Sequence, residues 1–198
     1  MRHALASLIA ICLIASPAAA EHTAEQKQAM KREAQQVAKE LVSKLGAALK
    51  QALSESGPEA AISVCRDTAP MIANSLSRRT GWKVGRVSLQ VRNPLIGQPD
   101  AWEQKILQQF DYEAAGGAGP AKLNAAEIVT EPQGEYFRYM KALPVKPLCL
   151  TCHGTERTIP ESVQARLAKE YPNDAATGYA AGQIRGAVSI KRWLGPAD

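Results

Sequence analysis

From residue 23 to 55, apolar residues recur every three or four positions: Met30, Ala34, Val37, Ala38, Leu41, Val42, Leu45, Leu49 and Leu53. That period places them on one face of a long amphipathic helix. Ser56-Gly57 ends it, and Pro58-Glu59 opens a second helix that runs through Cys65. Ala69-Pro70 interrupts or restarts this second helix. Ala73, Leu76 and the basic pair Arg78-Arg79 carry it to Gly81. The period then falls towards two. Trp82, Val84, Val87, Leu89 and Val91 predict a strand of about ten residues with an irregularity at Gly85. Arg92-Asn93-Pro94 and Gly97-Gln98-Pro99 mark a loop. Asp100 caps a helix containing Trp102, Ile106, Leu107 and Phe110. Gly116 to Pro120 reads as a flexible break. Ile128-Val129 and Tyr136 to Met140 predict two strands joined across Pro132-Gln133-Gly134, and Cys149 to His153 follow in a loop. Ser162 to Tyr171 predicts a short helix, and Ile184 to Trp193 a final strand. Helices fill the first third and strands cluster in the second half. The expected fold is α+β with an antiparallel sheet. A helical region, residues 21–80, is expected to pack with a sheet domain, residues 81–198, as one unit.

The first twenty residues follow another logic. Arg2 and His3 precede the apolar stretch Ala4–Ala15, then Ser16, Pro17 and Ala18-Ala19-Ala20. A basic start, a short apolar core and an A-x-A end make an export signal, with cleavage expected after Ala20. The stretch is too short for a membrane-spanning helix of about 20 residues. Cys12 does not suggest lipid attachment, because bulky Ile11 precedes it. No later stretch is apolar enough to cross a membrane, so a periplasmic or otherwise exported chain is expected. Its formal net charge is +5. Basic and acidic residues interleave, as in Lys31, Arg32, Glu33 and Lys39, Glu40, and no basic block is interspersed with aromatics. This excludes nucleic acid as a partner and describes a solvated surface with a mild positive excess.

Cysteine arithmetic then narrows the chemistry. The chain has four cysteines and three histidines. Loss of the first twenty residues leaves Cys65, Cys149, Cys152, His22 and His153. An odd number of thiols in an oxidising compartment does not suit a purely disulfide role. Cys149-Leu150-Thr151-Cys152-His153 is C-x-x-C-H, the attachment signature of c-type haem. Two cysteines at this spacing each add to one haem vinyl group. The histidine that follows then lies beneath the ring plane, within reach of iron. One covalently bound haem c is expected, with Cys149 and Cys152 as thioethers and His153 as iron ligand. A thioredoxin-like dithiol needs the pair to open a helix after a strand, whereas Pro144 and Pro147 precede it here. A Cys₃His zinc site from Cys65, Cys149, Cys152 and His153 is the stronger rival, although adjacent Cys152 and His153 suit tetrahedral ligation poorly.

Candidates for the opposite iron ligand are Cys65, His22, Met30, Met71, Met140 and a vacant or water-filled position. His22 lies near the mature N-terminus. Met71 and Met140 sit in apolar surroundings that suit core packing. Cys65 is an unpaired thiol in an exported protein, which makes ligation competitive with burial. A thiolate favours ferric iron and a low reduction potential. Arg86, Arg92 and Arg138 are candidates for bidentate pairing with the haem propionates. Tyr136, Phe137 and Tyr139 either wall the haem or pack in the core.

The chain resembles the Tll0287-like haem-binding domain family. The resemblance rests on Ala61 to Cys65 with Ala69-Pro70, on Gly85 to Leu89, Arg92-Asn93-Pro94 and Pro99 to Glu103, on Cys149 to Gly154, and on Gly178-Tyr179 with Gly186 to Ser189. The sequence departs from the family pattern at Leu95-Ile96-Gly97. The resemblance implies a PAS-like antiparallel sheet behind long N-terminal helices, one haem c, and His153 with Cys65 as the axial pair. Three function classes follow. The first is a sensor of redox state or of a diatomic gas, with an unidentified signalling partner. The second is a low-potential electron carrier with an unidentified redox partner. The third is a haem enzyme such as a peroxidase. It ranks well behind, because after loss of the first twenty residues His22 is the only histidine besides His153, so no enzymatic activity is expected. The long helix is a candidate homodimer surface, with packing on its own domain as the default.

Overall fold

The computed structural model describes residues 22–197. The expected export signal over residues 1–20, its expected cleavage point after Ala20 and Cys12 lie outside the described residues. Helix α1 spans Ala24–Ser63, and Thr23 caps it. The Thr23 hydroxyl accepts from the Gln26 N–H at 3.1 Å, and the Gln26 side chain accepts from the Thr23 N–H at 2.8 Å. These two bonds satisfy donors that the first turn otherwise leaves unpaired. Met30, Ala34, Val37, Ala38 and Leu41 form its buried stripe. The break expected at Ser56-Gly57 is a kink inside α1. Gly57 has φ +78° and ψ −177°, a conformation open in practice only to glycine, and Pro58 resumes the helix. The next turn, Val64–Thr68, is π-helical and carries Cys65. Its wider bond runs from the Ala69 N–H to the Val64 carbonyl. Pro70, which has no N–H, follows at the start of helix α2, Ala69–Thr80.

Four antiparallel strands follow: β1 Lys83–Val87, β2 Asn124–Glu131, β3 Gly134–Pro144 and β4 Ile184–Gly195. Their order is β1-β4-β3-β2. The final strand therefore lies between β1 and β3. Strand β1 has five residues, half the length expected, and Gly85 pairs with Ser189 in regular register. The ladder stops because Ser88 turns the chain away. Its N–H donates to the Gly97 carbonyl at 3.2 Å, and its hydroxyl lies 2.8 Å from the Arg185 carbonyl. The expected loop beyond it contains a single helical turn, α3 Pro94–Gly97, which the Asn93 side chain caps. Helix α4, Ala101–Ala115, starts with a reciprocal Asp100/Glu103 cap. The C-x-x-C-H segment is a helical turn where a loop was expected. A 3₁₀ turn over Pro147–Cys149 runs into α5, Leu150–His153. Helix α6 spans Glu161–Glu170.

The sheet is covered on both faces. Alternate residues of β3 and β4 point opposite ways. Phe137, Tyr139, Val188 and Ile190 meet α1 and α2, and Met140, Ala142 and Ala187 meet α4. Phe137 and Tyr139 are thus core residues, and so are Met30 and Met140. Met71 is 61 % exposed on α2, so it is neither core nor cavity. A third cluster joins Ile62 to Ile159, Val163, Leu167 and Tyr171, with Cys152 against it. Gly186, on β4, lies close against the end of β1. Its φ is +154°, and a Cβ there sits 2.3 Å from the Val87 carbonyl oxygen. Among the described residues, no helix is long and apolar enough to cross a membrane.

Candidate functional site

A cavity of about 530 Å³ opens between α2, the π-helical turn, β1 and the segment 91–98. This lies within the range of cofactor sites, roughly 300–1,000 Å³. Cys65 and His153 both line it, with Ala69, Val84, Leu143 and Tyr171 among the surrounding walls. Each donor arrives by a different device. Cys65 is carried by the π-helical turn, an irregularity frequent at functional sites. His153 ends the α5 turn. Cys152, one residue earlier, is half-buried against the third core cluster, and burial pushes its thiol pKa up. All three described cysteines are free thiols.

His153 is held from behind. Its Nδ1–H donates to the Ala176 carbonyl at 2.7 Å, which fixes the tautomer and leaves Nε2 with a lone pair. Burial, together with the Arg92 and Arg185 cations, depresses its pKa to about 2 against the opposing pull of Ala176. The ring is therefore neutral, as an iron ligand must be. Asp174 positions the carbonyl. Its carboxylate accepts from the Ala176 N–H at 2.7 Å and from Arg92 Nε at 2.9 Å. Arg92 Nη2 also donates to the carbonyls of Cys152 at 2.5 Å and Ala176 at 3.3 Å. The Tyr179 and Gly178 N–H groups close the clamp on the carbonyls of His153 and Gly154, at 2.9 and 2.7 Å. The segment 174–179 thus grips both the backbone and the ring of the C-x-x-C-H turn.

The three arginines named from sequence separate. Arg86 and Arg92 line the cavity, but Arg92 spends Nε and Nη2 on the clamp. Arg138 lies elsewhere. It is buried on the α4 side of β3, paired with Asp100 at 2.6 Å, Glu131 at 3.1 Å and Glu103 at 3.3 Å. Its guanidinium also stacks over Trp102 at 4.6 Å. Its partners are carboxylates of its own fold, not the propionates that sequence suggested. Sequence reasoning missed Asp174, Tyr171 and Arg185. The Asn173-Asp174 turn signal and the position of Arg185 just before Gly186 are the only local hints.

The donor set fits haem c. A neutral imidazole and the Cys65 thiol line one cavity that Arg86, Arg92 and Arg185 also border; Cys152 packs against the third core cluster, and neither it nor Cys149 is among the cavity-lining residues. The zinc alternative finds no support: among the described residues no group of three or more His, Cys, Asp or Glu forms a metal-ion site. A second cavity, about 580 Å³ on the α4 side, has neither cysteine nor histidine in its lining.

The Tll0287-like family model, described as Tll0287, matches residues 17–192. A solved structure titled as the cyanobacterial heme-protein Tll0287 is similar in fold, with a TM-score of 0.59 and 23 % identity, over 89 % of this chain and 100 % of that one. No curated protein matches the chain.

Proposed function

This chain belongs to the Tll0287-like family, and on that premise we propose that it is an exported c-type monohaem protein that senses redox state or a diatomic gas. Cys149 and Cys152 form the thioethers, His153 is the proximal iron ligand and Cys65 the opposite one, within a PAS-like sheet domain. The observation that carries this reading is that Cys65 and His153, from unrelated elements, line one cavity beside half-buried Cys152. Bound haem c supplies a one-electron centre and an iron open to ligand exchange.

What this chain's residues contribute can be stated separately. The Ala176 carbonyl keeps His153 Nε2 free, while burial and the Arg92 and Arg185 cations keep the ring neutral. Arg92 and Asp174 hold that carbonyl and the attachment turn in place. Ala69, Val84, Val91 and Leu143 exclude water from the cavity. The placement of Cys65 in a π-helical turn favours sensing, because such a turn can repack to ordinary helix and withdraw the thiol. A second reading, the low-potential electron carrier, is favoured by Leu95 and Ile96. These rim residues are 92 % and 55 % exposed beside the cavity and offer a partner an apolar approach.

A haem stain on a denaturing gel, after expression with the cytochrome c maturation machinery, tests covalent attachment. An unstained band from fully matured protein refutes it. Ferric spectra of wild type and Cys65→Ser test the axial pair, and identical low-spin spectra exclude Cys65. Rapid CO or NO binding to the ferrous protein with a structural change supports sensing. Fast electron exchange without ligand change supports the carrier.

A further inference from the structure

We infer that Arg185 is the principal propionate-binding residue of this site and couples the propionate charge to the iron ligand His153. The inference rests on the haem c reading and goes beyond it. Arg185 lines the same cavity as Cys65 and His153. Its Nη1 donates to the Ser88 hydroxyl at 2.7 Å and to the Gln90 carbonyl at 3.1 Å, and its plane stacks over Tyr179 at 5.4 Å. These contacts pre-orient the fork without neutralising it. Nη2 forms no hydrogen bond with the described residues. Arg66, Arg79, Arg92, Arg138, Arg166 and Arg192 all pair with a carboxylate; among the described residues Arg32, Arg78, Arg86, Arg157 and Arg185 pair with none, and of these five Arg86 and Arg185 line the cavity.

A largely buried guanidinium without a counter-anion is costly, so proteins keep such a group where a ligand supplies the charge. Arg185 also feels that cost directly: burial lowers its pKa. The remaining feature is its position against the imidazole. Nε lies 3.2 Å from His153 Nδ1 and 3.5 Å from Nε2. Nδ1 already donates to Ala176, so it cannot accept from Arg185. Nε2 is the nitrogen the iron needs. Neither nitrogen is thus an acceptor for Arg185 when haem is bound, and its fork is left to a carboxylate, for which its planar geometry is suited. Arg86, on the same cavity wall, is the second cation available to the two propionates.

The test uses matured holoprotein carrying Arg185→Gln or Arg185→Lys, with two readouts: the midpoint potential, and the propionate-bending band in the resonance Raman spectrum. A cation beside the iron ligand favours the ferrous state. Arg185→Gln is therefore expected to shift the oxidised-to-reduced ratio about tenfold towards oxidised, about 59 mV for one electron, and to move the propionate band. Arg185→Lys is expected to keep most of the potential and still move the band, because the bidentate fork is lost. If Arg185→Gln does not accumulate, the Lys variant decides through the band. An unchanged band in whichever variant matures, or an unchanged potential in matured Arg185→Gln, overturns the assignment. A wild-type protein that fails the haem stain overturns the underlying reading instead, so the two failures are distinct.

Discussion

Arg138→Met isolates one charge cluster and tests where Arg138 acts. The side chain is 3 % exposed and meets three carboxylates. Two of them tolerate its loss. Asp100 is 45 % exposed, and Glu131 keeps Lys191 at 2.5 Å. Glu103 does not, because it is 6 % exposed and retains only the Ser189 hydroxyl at 2.5 Å and the Asp100 N–H at 2.8 Å. Methionine fills similar space, so the loss is mainly one uncompensated buried charge, which costs about 3–5 kcal/mol. For a chain of this size each kcal/mol lowers Tm by about 2–4 °C, giving a drop of roughly 6–20 °C. Adding Glu103→Gln removes the stranded charge while keeping an acceptor for Ser189, and is expected to recover more than half of the drop. The assay is thermal unfolding of the holoprotein by circular dichroism, with the haem midpoint potential measured in parallel. The potential is expected to stay at the wild-type value, since Arg138 does not line the cavity. The reasoning fails if the single variant melts within about 3 °C of wild type, less than the effect of one such pair. It also fails if the double variant melts no higher than the single one, or if the potential moves.

Other expected outcomes are simpler. Leu41→Ala removes a side chain that is 1 % exposed between α1 and the sheet, and is expected to cost about 2–5 kcal/mol in urea unfolding. Gly186→Ala forces a Cβ against the Val87 carbonyl at φ +154°; backbone strain alone costs about 1–3 kcal/mol. Hydrogen exchange in that variant is expected to accelerate in β1 before β2. Asp174→Ala strands the buried Arg92 guanidinium and leaves the Ala176 N–H without its acceptor, loosening the carbonyl that holds His153. A loss of about 3–5 kcal/mol is expected, with a broadened iron–histidine band in the ferrous resonance Raman spectrum. A sharp, unshifted band contradicts the clamp.

Local rules made much of this fold legible. The three-four spacing of Met30 to Leu41 marked the buried stripe of α1, and Gly57-Pro58 marked its kink, because helix period and backbone conformation are set within a few residues. The alternation of Trp82 to Val91 misled. Strand β1 ends at Val87 through bonds from Ser88 to Gly97, beyond the next turn, and to Arg185, far away along the chain. The C-x-x-C-H motif was legible because its residues stand at fixed spacing in the sequence. The groups around it were not. The Ala176 carbonyl has no side-chain signature, and Asp174 and Arg185 matter only once the fold carries them to His153. Arg138 shows the converse: being close in sequence to the attachment motif did not place it there, because strand alternation turned it to the α4 face.

The strand order β1-β4-β3-β2 also has a temporal meaning. Residues 83–87 find no partner on β2 or β3 and wait for residues 184–195, near the end of the chain. Such long-range pairing forms slowly, because a large loop must close before any contact rewards it. During that wait the residues of β1 that wall the cavity of Cys65 and His153 have no strand beside them, and the cavity stays open on that side. The order of strands thus makes this wall one of the last parts of the sheet to close, with β4 as the latch.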